Sequence, residues 1–343
     1  MSDIQFETVG RAGIVTLNRV KALNALTEPM VRELGEALRE WARDDRVERV
    51  AIRAEGKAFC AGGDLRDIYT RRSEAVPFFG AEYQTNYRLG IYEKPVLSLI
   101  DGVCMGGGVG ISAHGSHRIA TENLVFAMPE TAIGLFPDVG ASHLLSGMDG
   151  EAGLYLGLTG ARLGRDGATA VGFVTHPTEA GRLGDALDRI AHARALEAGL
   201  DELVVDTEPR DAEEAAFIDK VFGADSVLAI LERLDDEGND FAAETAATIR
   251  KMSPTSLEVT FREIRRAEGK SLGECLTTEF RILNQILEGH DLYEGIRAVL
   301  IDKDRNPKWS PATLEGVDAE EIEAHFRKPH DGDLRLPSGP AAP

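Results

Sequence analysis

Short apolar runs alternate with helix-forming stretches through the first half of this chain, and that alternation limits the folds open to it. Gly13 to Leu17 reads as a strand ending at Asn18-Arg19, and Val47 to Ala54, Val96 to Ile100 and Leu124 to Ala127 read as three more. After the first, Thr27 is placed to cap a helix with Pro29 in its first turn. Met30, Leu34, Ala37, Leu38 and Trp41 then recur at helical spacing, so one face of that helix is buried. Strands and helices in alternation cover each other's apolar faces as layers, which predicts an α/β architecture. After about residue 185 the composition turns to Ala, Glu, Leu and Arg with few strand formers. Phe217, Val221 and Phe222, then Val227, Ile230, Leu231 and Leu234, then Leu272 to Leu287 mark amphipathic helices. The expected organisation is a core over residues 1–185, a mainly helical region over 186–327, and a frayed tail over 328–343, which holds four of the 14 prolines.

Charge and cysteine content exclude several classes. With 38 basic and 58 acidic residues the net charge is −20, which repels phosphate backbones, and no Lys/Arg run offsets it, so a nucleic-acid partner is not expected. Cys60, Cys104 and Cys275 are odd in number and lack metal-ligand spacing. A disulfide framework is therefore not expected, and a reducing cytoplasm fits. The first residues show neither a basic nor an apolar signal-peptide region. Pro95 to Ser112 is the most apolar stretch, but Asp101 and its glycines make it too polar to span a membrane.

Three segments carry the residue types that chemistry needs. Ala58-Phe59-Cys60-Ala61-Gly62-Gly63-Asp64-Leu65 follows a strand, and its paired glycines leave a backbone N–H uncovered. It is either an N–H aimed at a bound anion or polarised carbonyl, or a tight turn with Asp64 as helix cap. Met105-Gly106-Gly107-Gly108-Val109-Gly110 is a second such turn; it matches neither a dinucleotide fingerprint nor a P-loop. Together the two turns can present two N–H groups to one oxygen, the requirement of an oxyanion hole. The third segment, Met128 to Gly140, holds Glu130 and Asp138 among apolar residues. Such surroundings raise carboxyl pKa values toward the range for acid, base or nucleophile work, while Asp138 could equally cap a helix. Glu82 reads from its neighbours as part of an exposed helical face. His114 and His117 have H-x-x-H spacing without a third ligand nearby in sequence, so structural histidines and no metal are expected.

Asn18-Arg19, Ala22-Leu23-Asn24-Ala25-Leu26, Phe59 to Asp64 and Gly106-Gly107-Gly108 together resemble the crotonase (enoyl-CoA hydratase/isomerase) superfamily. The resemblance implies a spiral of ββα units followed by helices, and acyl-CoA thioester substrates. It implies that the N–H groups of Gly63 and Gly107 hold the thioester oxygen. It places the coenzyme A part of the substrate against Lys21, Ala22 and Leu23 and against Ala61, Asp64 and Leu65. A hydratase of this superfamily uses two glutamates: Glu130 matches the second, and the first falls at Gly110.

The subgroup most similar is 3-hydroxyisobutyryl-CoA hydrolase. Phe126 to Glu130, Asp138-Val139-Gly140, Glu82-Tyr83, Ser253 to Leu257, Gly289-His290-Asp291, Gly295 to Asp304 and Lys308-Trp309 carry that similarity. Ala141-Ser142-His143 departs from it, where the subgroup often has another glycine and an aromatic residue. The resemblance implies hydrolysis of a short 3-hydroxyacyl-CoA, as in valine catabolism. Glu130 would attack the carbonyl or activate water, Asp138 would meet the 3-hydroxyl or orient the water, and Glu82 would position the acyl group. No separate cofactor is implied, because coenzyme A belongs to the substrate. A homo-oligomer is compatible with the superfamily. Isomerases related to it also pair a Glu with an Asp at this spacing, and some relatives only bind RNA or proteins.

Overall fold

The computed structural model describes residues 2–342. Nine strands divide between two sheets: β1 (Ile4–Val9), β2 (Ala12–Leu17), β3 (Arg49–Ala54), β4 (Ala58–Cys60), β5 (Val96–Ile100), β6 (Val103–Met105), β7 (His117–Ala120), β8 (Val125–Ala127) and β9 (His176–Pro177). The larger sheet has the order β1-β2-β3-β5-β7-β9 and is parallel except for the β1–β2 hairpin. The smaller sheet, β4-β6-β8, is parallel throughout. Each successive pair, β3–β4, β5–β6 and β7–β8, sends one strand to each sheet, so the chain winds as a spiral of ββα units, as expected.

The helices α1 (Glu28–Arg43), α2 (Leu65–Arg71), α3 (Val76–Gly90), α4 (Gly107–Ala113) and α5 (Ala141–Ser146) fill the turns of that spiral. Thr27 caps α1 by accepting from the Met30 N–H, and Met30, Leu34, Ala37, Leu38 and Trp41 are its buried face. Then come α6 (Ala152–Thr159), α7 (Arg165–Ala170), α8 (Leu183–His192) and α9 (Leu196–Asp201). The remaining helices are α10 (Ala212–Phe222), α11 (Val227–Glu237), α12 (Asp240–Ile249), α13 (Pro254–Ala267), α14 (Leu272–Glu288), α15 (Asp291–Ile296) and α16 (Ala319–His325).

The composition change near residue 185 is not a packing boundary. Ala186 and Ile190 of α8, with Leu200 and Leu203, cover the outer face of the large sheet, against Ile14, Ala51, Leu97, Leu99 and Ile119. The later helices share one continuous apolar core with the ββα spiral. The end of the chain also differs from the frayed tail expected of it. Asp333 pairs with Arg281 of α14 through two contacts of 2.6 and 2.9 Å, and Leu334 is buried. The Arg335 carbonyl accepts from Gln84 of α3, and those of Pro340 and Ala341 accept from Arg88 and Arg43. Proline richness does not fray a segment whose carbonyls find fixed donors.

Candidate active site

All three strands of the small sheet end at one place. β4 runs into Gly62 and Gly63, β6 into Gly106 and Gly107, and β8 into Pro129 and Glu130. Carboxyl ends of parallel strands are the usual location of α/β binding sites, because loops diverge there and leave a crevice.

The first glycine turn is held from behind by residues 22–26. The Ala61 N–H donates to Leu23 O (3.0 Å), the Leu26 N–H to Gly62 O (2.8 Å) and the Asp64 N–H to Leu26 O (2.9 Å). Leu23 and Asn24 take left-handed φ values of 52° and 57°. The cost is met by the buried Asn24 amide, which donates to Glu55 O and Ala58 O. Asp64 caps α2 and takes Arg19 Nη2 at 2.6 Å. Gly62 has φ 110°, a conformation that needs glycine. The Gly63 N–H has no acceptor among the described residues.

The second turn abuts the first: a Cβ built on Gly62 would lie 3.9 Å from the Gly107 nitrogen. Gly107 begins α4, and its N–H is likewise without an acceptor among the described residues. The acids press on this turn. Cβ atoms built on Gly107 and Gly106 would meet Glu82 Oε1 at 2.5 Å and Glu130 Oε1 at 3.1 Å. Gly110, where the superfamily's first hydratase glutamate would fall, is closed: a Cβ there would meet Asn86 Nδ2 and Val139 Cβ at 2.7 Å each.

Glu82, Glu130 and Asp138 are all buried. Glu82 therefore departs from its expected exposed helical face: α3 is covered on that side by the glycine turns, which only the spiral brings there. Asp138 Oδ2 accepts from the Tyr83 hydroxyl at 2.8 Å. Glu82 Oε1 and Glu130 Oε2 are buried without a partner among the described residues, and both carboxylates line the cavity. Burial, reinforced by the Asp138 charge, pushes the Glu82 and Glu130 carboxyls well above the usual carboxylate range. Burial also pushes Asp138 up, against the Tyr83 hydrogen bond, which lowers it.

Asp138 does not cap α5; Gly140 occupies that position. Its place is set by a strained turn. Val139 has φ 60°, a rare conformation for a β-branched residue. Glu279 of α14 accepts from Gly140 N (2.6 Å), Ser142 N (3.1 Å) and Ser142 Oγ (2.6 Å), and His114 Nε2 meets Val139 O at 2.7 Å. That contact makes His114 a structural residue, with burial lowering its pKa to about 4. Glu279 was not among the sequence candidates, nor was Glu263 of α13, buried with both oxygens unpartnered among the described residues. Each is an acid on an otherwise apolar helix face, between Cys275 or Leu276 and Ile282, and between Val259 and Ile264. That pattern was readable in the sequence.

The cavity enclosed here measures about 280 Å³. Phe78, Phe79, Ile133 and Leu135 form apolar walls, and Gly63, Gly107, Glu82, Glu130 and Asp138 contribute its polar lining. Ala61 and Leu65 line it too, whereas Lys21, Ala22, Leu23 and Asp64 are not part of its lining. A larger hollow of about 700 Å³ lies between α13, α14 and the chain end, and neither glycine turn reaches it. No helix among the described residues is long and apolar enough to cross a membrane.

Two glycine turns whose N–H groups lack an acceptor among the described residues, beside buried acids at the strand ends of a ββα spiral, are set in a crotonase-type fold. The chain belongs to the enoyl-CoA hydratase/isomerase family, whose description matches residues 12–326. It is 44% identical to 3-hydroxyisobutyryl-CoA hydrolase, mitochondrial, of Danio rerio over 98% of this chain and 92% of that protein. To the Homo sapiens protein of the same name it is 42% identical, over 97% of this chain and 91% of the other. Among solved structures it is similar to a carnitinyl-CoA dehydratase from Mycobacterium thermoresistibile, with a TM-score of 0.94 and 38% identity over 98% and 100% of the two chains.

Proposed function

We propose that this chain hydrolyses a short 3-hydroxyacyl-CoA thioester, 3-hydroxyisobutyryl-CoA foremost, with a place in valine breakdown. One observation carries the reading: Glu130 and Asp138 are buried on the cavity that Gly63 and Gly107 close, while Gly110 leaves no space for a second hydratase glutamate. The names of the similar hydrolases support it.

In this mechanism the thioester oxygen lies between the Gly63 and Gly107 N–H groups. As the carbonyl is attacked, each donor contributes roughly 3–4 kcal/mol of transition-state stabilisation. Glu130 acts as nucleophile or as base toward water, and both roles require its ionised form. The C–S bond breaks, water supplies OH to the acid and H to sulfur, and CoA leaves as the thiol. Asp138, oriented by Tyr83, meets the 3-hydroxyl, and Glu82 bounds the acyl group. Lys21, Ala22, Leu23, Asp64 and Leu65 flank the path of the coenzyme A moiety, the only cofactor-like group required. Three buried free cysteines fit a reducing compartment. The similar hydrolases are named mitochondrial, so their names lend no support to the expected cytoplasmic location. Association into homo-oligomers is compatible with the reading.

The test is CoA release from 3-hydroxyisobutyryl-CoA, followed with a thiol reagent beside isobutyryl-CoA and crotonyl-CoA. Fast release from the hydroxy ester is expected. No release from any ester would overturn the proposal and direct attention to isomerisation.

A further inference from the structure

We propose that His117, His176 and Glu197 form a binding site for a divalent transition-metal ion of the zinc class, at the edge of the large sheet and outside the acyl cavity. The H-x-x-H spacing gave no third ligand along the chain, and His114 is engaged elsewhere. The fold supplies both missing groups. β7 and β9 are adjacent and parallel, which stands the two rings side by side with centroids 5.0 Å apart. Glu197, in the first turn of α9, reaches in from the side, with Oε2 3.1 Å from His117 Nε2. One ligand atom from each residue lies within 4.8 Å of the others. Around a tetrahedral ion with bonds of about 2.0–2.1 Å, such atoms sit about 3.4 Å apart. Glu197 Oε2 and His117 Nε2 already lie within that separation, at 3.1 Å.

The hydrogen-bond network fixes where the ring protons are. Ser116 Oγ gives its one proton to Val96 O and accepts from the Val96 N–H, both at 3.0 Å. In its 2.7 Å contact with His117 Nδ1, the ring nitrogen is therefore the donor. Thr175 repeats the device on the next strand: it donates to Arg118 O, accepts from Arg118 N, and receives His176 Nδ1–H at 2.8 Å. A neutral ring in either position thus keeps its lone pair on Nε2. In His117 that lone pair faces a carboxylate oxygen, a repulsive contact that a cation between them turns into two bonds. The nearby Arg118 guanidinium is committed to Phe173 O and Gly115 O.

Two imidazoles oriented by hydroxyls through Nδ1, with one carboxylate, suit zinc, and water completes the shell. Entry is open on the Glu197 side. A bound ion would clamp α9, and with it the α8–α9 cover, onto the sheet.

The test uses the untagged full-length chain, stripped of metal and titrated with Zn²⁺ against a chromophoric chelator, with thermal melting in parallel. The expected result is one Zn²⁺ per chain and a higher melting temperature. His176→Gln and Glu197→Gln should each bind roughly tenfold more weakly or worse, without loss of CoA-ester turnover. Glu197 is exposed, so its substitution leaves the fold intact. Failure to bind Zn²⁺ at micromolar concentration, or equal binding by wild type and both variants, would overturn the site.

Discussion

At the residue scale, the proposed chemistry depends on carboxyl groups kept out of water. Glu130 lines the cavity and has one buried oxygen without a partner among the described residues. Glu130→Gln keeps the shape and removes the charge, so kcat should fall by about 10²-fold or more while CoA-ester binding stays nearly unchanged. Steady-state kinetics with a parallel binding titration checks this. In the proposed function Asp138, on the cavity wall, reads the substrate hydroxyl. Asp138→Asn should lower kcat/KM for 3-hydroxyisobutyryl-CoA by roughly 10²-fold or more, and lower it far less for isobutyryl-CoA, because only the hydroxy ester loses a partner. Equal losses on both esters would assign Asp138 to the water instead.

At the element scale, two later helices reach into the site with acids. Glu279 of α14 accepts three hydrogen bonds from the Asp138–α5 turn. Glu279→Ala strands two buried N–H groups and releases strained Val139. Each stranded donor costs about 1–3 kcal/mol, so the melting temperature and kcat should fall together. Glu279→Gln, which still offers an acceptor, should recover part of both. Glu263 of α13 is different: it is buried and its oxygens have no partner among the described residues. Its carboxyl is raised well above the usual range by burial, then by Glu279, Asp138 and Glu130. A raised carboxyl pKa means that the folded state holds the proton more tightly than the unfolded state. The stability this contributes is present at low pH and is lost as pH rises above the unfolded value of 4.5. Glu263→Met should therefore stabilise the chain by ~1–4 kcal/mol at pH 8 and by little near pH 4.5, read from denaturant unfolding at both values.

At the scale of the whole molecule, the same sign applies to a group of five. Glu82, Glu130, Asp138, Glu263 and Glu279 are all shifted up with burial as the leading cause, Glu279 to about 7. Between about pH 4.5 and 7 these five groups bind more protons in the folded chain than in the unfolded one, which outnumbers the opposite contribution of His114, His176 and His325, shifted down by burial, so stability should fall across that window. Melting curves at pH 5.5 and pH 8 measure it, and a higher midpoint at pH 8 would show that the acids are stabilised as anions. The −20 net charge acts in the same direction, since deprotonation adds to self-repulsion in the compact state.

The sequence by itself determined what local physics controls. Strand periodicity, the Thr27 cap and apolar face of α1, the two glycine turns, and the pairing of Glu130 with Asp138 were legible because each is a short-range pattern. So was the closed Gly110 position, as a missing side chain. The tertiary structure decided what depends on residues distant in the chain. It buried Glu82 beneath the glycine turns, brought Glu279 from α14 to hold the Asp138 turn, and laid the proline-rich end on Arg281 and Gln84. It also set His176 beside His117, 59 residues apart in the chain but neighbours across one strand pair. Burial and pairing across such distances fix an acid's pKa and a histidine's proton, and no local spacing encodes either.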